Sequence, residues 1–398
     1  MESSQTYELG RKVYYMQLAP LMLCFFTMGL VDLTGIASNY VQRDLNLTDA
    51  QAGLLPSIAF LWMMIICVLS GMSVSKIGMK RSVMIGLSIT VLSLIIPVRG
   101  HEYAAMLVAF SLLGIGNALI MRYLFPLVRN LAGVDRRSSA LTFGEFISAM
   151  ASLSGPILAA WGASTYLPTF GLGWRTSFAV YAVIVAWTLT FLGATPLEEG
   201  KANVDTQSVG KTLRSLARPA FLLYGIAIMC SVGIDIGTNT FAPKIVIERI
   251  GIPLEEAGYA LCIYFVFRTV GALLCSSFPR SLSSKLFFLI NVVMVLAAMA
   301  ILSYCYSLTC IYIALAFVGF GNSNLYSVVF SQAVRHSHDV KKAGWLLMTS
   351  GLFGGVFFPM AMGYAADAAG QIGGIAVMVI GVVYLMLSFY LFNNTGQQ

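Results

Sequence analysis

The chain runs to 398 residues, 58% of them hydrophobic and only 10% charged, with a mean hydropathy of +0.82. Soluble domains carry about 25% charged residues, so an ordinary soluble enzyme or scaffold is excluded. The net charge of +7 would suit a polyanion partner only if the basic residues formed a patch, and they do not.

Apolar stretches recur at about 17–40, 51–74, 83–98, 104–128, 140–162, 174–195, 219–243, 257–279, 286–303, 308–333, 344–366 and 373–393. A hydrocarbon core of about 30 Å takes about 20 helical residues, so the fold class expected is an all-α polytopic membrane protein with 12 transmembrane helices. Residues 1–16 are polar and lack the apolar core and small-residue cleavage site of a signal peptide, so the first span is expected to be retained. With the N-terminus inside, the cytoplasmic segments hold 17 Lys and Arg, the external loops 5, and the spans the remaining two. That bias follows the positive-inside rule. It places both termini in the cytoplasm and assigns the basic balance to topology, not to nucleic acid.

Along the chain, five charges fall inside spans: Asp32 in the first, Arg122 in the fourth, Glu145 in the fifth, Asp235 in the seventh and Arg268 in the eighth. A charge at the bilayer centre costs roughly 2.5–3.5 kcal/mol on the mildest scales and marks a substrate or ion pathway. Asp32 lies about four residues outward of its helix middle, roughly 5 Å, with Asp235 at similar depth. Arg122 and Glu145 both sit roughly 9 Å toward the cytoplasm on consecutive helices, a geometry that allows a charge-assisted pair. Arg268, near the middle of the eighth span, is placed to pair with Asp235, which would lessen the burial penalty of both.

Amides and rings accompany these charges: Asn117 in the fourth span, Asn239 in the seventh, and Asn322, Asn324 and Tyr326 in the tenth. Neutral amides offer donors and acceptors to hydroxyls, and Trp62 or Tyr264 could stack on the C–H face of a sugar. Asn117 and Asn322 have an equal claim as interhelical hydrogen bonds beside Gly114/Gly116 and Gly319/Gly321. Gly155-Pro156 and Phe358-Pro359 are expected to bend the fifth and eleventh helices. The seven cysteines are scattered without a C-x-x-C pair, and His101, His336 and His338 all lie in loops. No metal, cofactor, disulfide framework or intramembrane hydrolase is therefore expected, and without a Walker A loop there is no direct ATP drive.

The two halves repeat each other across the polar connector 196–218. Leu45–Gly53 resembles Ile250–Gly258, and Gly114-Ile-Gly-Asn117 returns as Gly319-Phe-Gly-Asn322, both at an offset of 205. Asp32 is matched by Asp235. Parallel six-helix repeats place a substrate site near the midplane between the halves.

The passage Gly71-Met-Ser-Val-Ser75-Lys76-Ile-Gly78-Met-Lys80-Arg81 resembles the G-x-x-x-D-R-x-G-R-R loop of the major facilitator superfamily, with Ser75 in the acidic position. Gly29-Leu-Val-Asp32, Val232-Gly-Ile-Asp235, Tyr264-Phe-Val-Phe-Arg268 and Val318-Gly-Phe-Gly-Asn322-Ser323-Asn are similar to the fucose:proton symporter group within it. So are Ser350–Gly355, Phe358-Pro359 and Gly363–Asp367. The resemblance implies two pseudo-symmetric six-helix bundles, 1–195 and 219–398, joined by a cytoplasmic linker at 196–218. It implies a cytoplasmic gate at Gly71, Lys76, Gly78, Lys80 and Arg81, and a cavity lined by the first, fourth, seventh and tenth helices. Asp32 matches the group's proton-linked carboxylate, although a structural acid remains the other reading. The group's functional glutamate of the fourth helix is absent, its position falling at Met121 or Arg122, while Glu145 falls near a sugar-binding glutamine.

The function expected is secondary active import of a monosaccharide or sugar derivative, by proton or sodium symport with rocker-switch alternating access. Coupling is expected at Asp32, Glu145 and Asp235. The alternative is an organic-anion or acidic-sugar carrier in which Arg122 or Arg268 holds the anion. The setting expected is a bacterial inner membrane, with the chain acting as a monomer.

Overall fold

The computed structural model describes residues 2–73, 78–132, 136–164, 171–197, 219–277, 284–335 and 340–395, and these contain helix and no strand. The first span is α1 (Glu2–Gly29) and α2 (Leu33–Leu45), joined by one 3₁₀ turn over Leu30–Asp32. The first half continues with α3 (Asp49–Ser73), α4 (Met79–Arg99), α5 (Tyr103–Leu131), α6 (Arg137–Ala163) and α7 (Thr176–Ala194). The second half contains α8 (Pro219–Ile250), the short α9 (Leu254–Ala257), α10 (Tyr259–Ser277), α11 (Ser284–Tyr304), α12 (Leu308–Arg335), α13 (Val340–Ala369) and α14 (Gln371–Thr395). Twelve helical segments among the described residues are long and apolar enough to cross a membrane.

The bounds differ from expectation at the end of the seventh span. The seventh span was expected to end at Pro243, yet α8 runs on to Ile250. A proline removes one backbone donor and disturbs one turn, and packing on both sides carries the helix through it. Pro156 and Pro359 likewise sit inside α6 and α13. The connector from 198 to 218 lies outside the described residues.

The internal repeat is visible in the packing. In the first half α5 packs on α3 and α4, and α4 on α7; in the second, α12 packs on α10 and α11, and α11 on α14. The close approaches repeat atom for atom. A methyl group at Gly114 would meet the Ala59 carbonyl, and one at Gly319 would meet the Tyr264 carbonyl, both partners shifted by the same 205 residues. Gly116 against the Gly86 carbonyl and Gly321 against that of Asn291 form a second such pair. Small residues let helix backbones approach closely where no hydrophobic drive separates protein from lipid.

The halves meet through α3 against α13, α6 against α10, and α2 against α8. At Gly35 the α2 backbone lies on the Asn239 side chain of α8, and any Cβ there would collide with it. Asn39 ties the same seam, its Nδ2 donating to the carbonyls of Gly35 and Thr240, each at 3.0 Å.

Candidate functional site

Asp32 occupies the 3₁₀ turn that interrupts the first span, and its side chain is buried. A 3₁₀ stretch within a helix is common at functional hinges. Here it sets the Asp32 carboxylate toward the second half. Arg268 of α10 reaches it with Nη1 at 3.2 Å, and the same nitrogen lies 3.4 Å from Asp235 Oδ2 of α8. Tyr264, one turn before Arg268, donates its hydroxyl to Asp235 Oδ1. Asn239 Nδ2 donates to the Asp32 backbone carbonyl at 2.9 Å. Gly319 of α12 presses on the backbone at Tyr264 and Arg268, which fixes this turn of α10.

The expected Arg268–Asp235 pair is therefore present, extended to Asp32 of the other half. Two carboxylates share one guanidinium, so the cluster with all three groups ionised carries one net negative charge. It is not walled off: 34% of the Arg268 side chain and 20% of Asp235 remain accessible, against 7% of Asp32. Glu145 on α6 is exposed, forms no ion pair among the described residues, and lies close enough to Arg268 to feel its charge. An apolar cluster of Phe60, Met63, Ala118, Ile236, Leu352 and Val356 is drawn from both halves.

The Arg122–Glu145 pair allowed by depth does not form. Consecutive helices need not be partners: α6 packs chiefly on α1 and α10, α5 on α3 and α4. Arg122 instead lies over its neighbour Tyr123, 5.9 Å from the ring centre, with its Nε buried and without a partner. Asn117 is buried, its Nδ2 3.9 Å from Met63 Sδ and its Oδ1 unpartnered. Asn322 is used between helices, donating to the Ser231 carbonyl at 3.1 Å and accepting from the Ser231 hydroxyl at 3.3 Å. Asn324 donates to Phe320 O of its own helix at 3.4 Å. Tyr326 stacks on Phe330, and Trp62 is half-buried. Tyr264 is fully buried with its hydroxyl committed to Asp235, so its ring offers no free face in this conformation.

Of the loop expected to form the gate, Lys76 and Ser75 lie outside the described residues, and of Gly71 only its place in α3 is described. Gly78 precedes α4 with φ +90°, a backbone state that favours glycine. Lys80 Nζ donates to the carbonyls of Gly193 and Thr195 at 3.1 and 2.8 Å, closing α4 onto the end of α7 within one half. Arg81 is exposed.

A second polar assembly, not anticipated from sequence, seals the two halves at the end away from the termini. Asp49 at the start of α3 accepts from Lys244 Nζ at 2.7 Å, Gln42 at 3.0 Å and Gln371 at 3.1 Å. Asp367 of α13 caps α3 from across the seam, accepting from the backbone N–H of Asp49 at 2.7 Å and of Ala50 at 3.0 Å. Arg43 and Glu255 pair at 2.6 Å nearby. The nearly buried Lys244 (7% exposed) leaves an unpaired carboxylate if lost, at about 3 kcal/mol for the closed form. Lys244→Met is expected to open this end, read as at least about tenfold faster alkylation of a Ser38→Cys reporter, a position buried on α2. An unchanged labelling rate would deny Lys244 that role.

With this geometry in view, similarity to known proteins is informative. A sequence model of the Major Facilitator Superfamily matches residues 21–359. The chain belongs to that superfamily. Its members are transporters, not enzymes, and the twelve helices make this one a membrane protein. A glucose/galactose transporter of Brucella abortus biovar 1 (strain 9-941) is 22% identical over 394 residues, covering 96% of this chain and 94% of that one. Among solved structures, a variant of the nucleoside transporter NupG superposes with a TM-score of 0.77 at 13% identity, covering 95% of this chain and 99% of that one. The E. coli fucose:proton symporter FucP superposes at 0.64 and 18% identity over 95% and 99%. Both structural likenesses speak for the shared superfamily fold.

Proposed function

We propose that the protein imports a monosaccharide or close derivative by proton symport, using alternating access between its halves. The observation that carries this reading is the pairing of Asp32 and Asp235, from opposite halves, on the single guanidinium of Arg268. One excess negative charge in a partly desolvated site is a place for one cation. Asp235 has both Arg268 and the Tyr264 hydroxyl to satisfy its ionised form, whereas among the described residues the Asp32 carboxylate has Arg268 alone. Asp32 is therefore the proton carrier, and its protonation lets the halves close around substrate without burying an unpaired charge. Hydroxyl recognition falls to Glu145, the accessible edge of Arg268 and the free oxygen of Asn117. The apolar cluster faces the C–H surface of the ring. The glucose/galactose relative supports the substrate class.

In this reading the termini are cytoplasmic, the halves 1–195 and 219–398 rock about the site, and the connector 196–218 spans them on the inside. The Asp49–Lys244 assembly is then the outer closure. The chain works as a monomer in a bacterial inner membrane. Substrate accumulation by proteoliposomes under an imposed pH gradient tests the proposal; binding without flux would reduce the protein to a receptor.

A second reading is favoured by Arg122, a membrane-embedded cation with no ion pair among the described residues. It would suit an anionic sugar such as a uronate. Neutral hexoses are expected to displace a labelled hexose at lower concentration than the matching uronates do. The reverse order, erased by Arg122→Gln, would put the acidic sugars first.

A further inference from the structure

Cys305 and Cys310 flank the turn between α11 and α12, at the end of the molecule away from the termini. Cys305 closes α11, its N–H bonded to the Ile301 carbonyl at 2.9 Å, and Cys310 lies in the first turn of α12, which Ser307 opens through its carbonyl to Ile311 N at 3.0 Å. The two thiols lie near enough to each other across this turn for each to influence the other's charge. Both residues are half-exposed, unlike Cys24 and Cys230, which are buried singly within helices. The turn is held from a third helix: Arg249 at the end of α8 donates to the carbonyls of Cys305 at 3.1 Å and Ser303 at 3.0 Å and covers the Tyr306 ring at 5.0 Å. This leaves the pair juxtaposed on a rigid base.

We propose that Cys305 and Cys310 form a redox-active pair that closes to a disulfide on the outer face of the membrane. The proposal rests on the topology of the preceding reading, which sets this turn in the oxidising compartment where disulfides persist. The N–H groups of Ser307 and Tyr306, the Cys310 thiol and the Arg249 charge hold the Cys305 thiol below its ordinary range, so Cys305 is the attacking sulfur. The oxidant is a small or protein disulfide. The Cys305 thiolate attacks one of its sulfurs and expels a thiolate, leaving a mixed disulfide. Cys310, losing its proton, then attacks the Cys305 sulfur and expels the second thiolate. Two thiols and one disulfide become the Cys305–Cys310 disulfide and two free thiols, a two-electron exchange in which the released protons pass to the leaving thiolates. The bond ties α11 to α12 at the point where α8 rests on them.

Intact cells producing the full chain are treated with a membrane-impermeant maleimide, with and without prior reduction, and the peptide bearing both cysteines is weighed. The expected result is no label and a mass lower by two hydrogens without reductant, and two labels after it. Cys310→Ser is expected to leave Cys305 labelled without reduction. Two labels on the unreduced protein would overturn the disulfide while upholding the topology. No label even after reduction, with both thiols labelled once the membrane is permeabilised, would overturn the outward placement and the proposal with it. In Cys310→Ser the transport assay is unaffected by chemistry at the central site, so a failed disulfide leaves the symport reading standing.

Discussion

Asp32→Asn is expected to abolish accumulation driven by a pH gradient while preserving exchange of substrate across the membrane. Asparagine has the shape and neutrality of the protonated acid, so Arg268 retains its partner in Asp235 and the cluster becomes electrically balanced. The variant is thus fixed in the form that closes around substrate, with no proton left to release. Under a gradient of one pH unit a one-proton symporter can concentrate a neutral substrate about tenfold, since about 1.4 kcal/mol corresponds to a factor of ten. The expected accumulation ratio for Asp32→Asn is about one, measured as labelled sugar inside proteoliposomes, with counterflow at a rate near the parent's. Accumulation at the parent's level would remove Asp32 from coupling.

Arg268→Ala is expected to be the most damaging single change at the site. It leaves the carboxylates of Asp32 and Asp235 facing each other without the cation that joins them. Removing one partner of a buried pair costs about 3–5 kcal/mol, and the partial exposure of Arg268 lowers the expectation here to about 2–3 kcal/mol. Loss of detectable uptake, a fall in thermal midpoint and loss of the protection that substrate gives against heat are the expected readings. Arg268→Ala combined with Asp235→Asn removes one of the two stranded charges and should recover most of the stability without recovering transport. If stability is not recovered, the damage lies in the packing of the long side chain against Phe265, whose ring centre is 5.7 Å from the guanidinium.

The architecture was legible because each level of the sequence said the same thing: apolar runs of spanning length, a charge bias between loops, and motifs repeated at one offset. The central acids were legible because a carboxylate inside an apolar helix has few bland explanations. What depth alone could not supply was lateral position. Arg122 and Glu145 matched in height but sit on helices that pack elsewhere, whereas Arg268 proved to serve two acids because α10 lies against α8, which bears Asp235, and its guanidinium also reaches Asp32 across the seam. Lys244 was missed for a simpler reason. The span was ended at Pro243, which turned the next residue into a loop charge; continued to Ile250, the same helix carries a buried cation. Asp49 and Asp367 stood in passages read for the repeat and the resemblance, but nothing showed that they meet, since acids near helix ends are ordinary until the tertiary fold brings two such ends together.

The carboxylate that finishes α3 is encoded 318 positions after the amide it receives. During synthesis the second span must therefore enter the bilayer with its leading turn incomplete, its first N–H groups left to water or lipid headgroups until the penultimate span arrives. The early bundle is a provisional structure, and the late one supplies its last stitch.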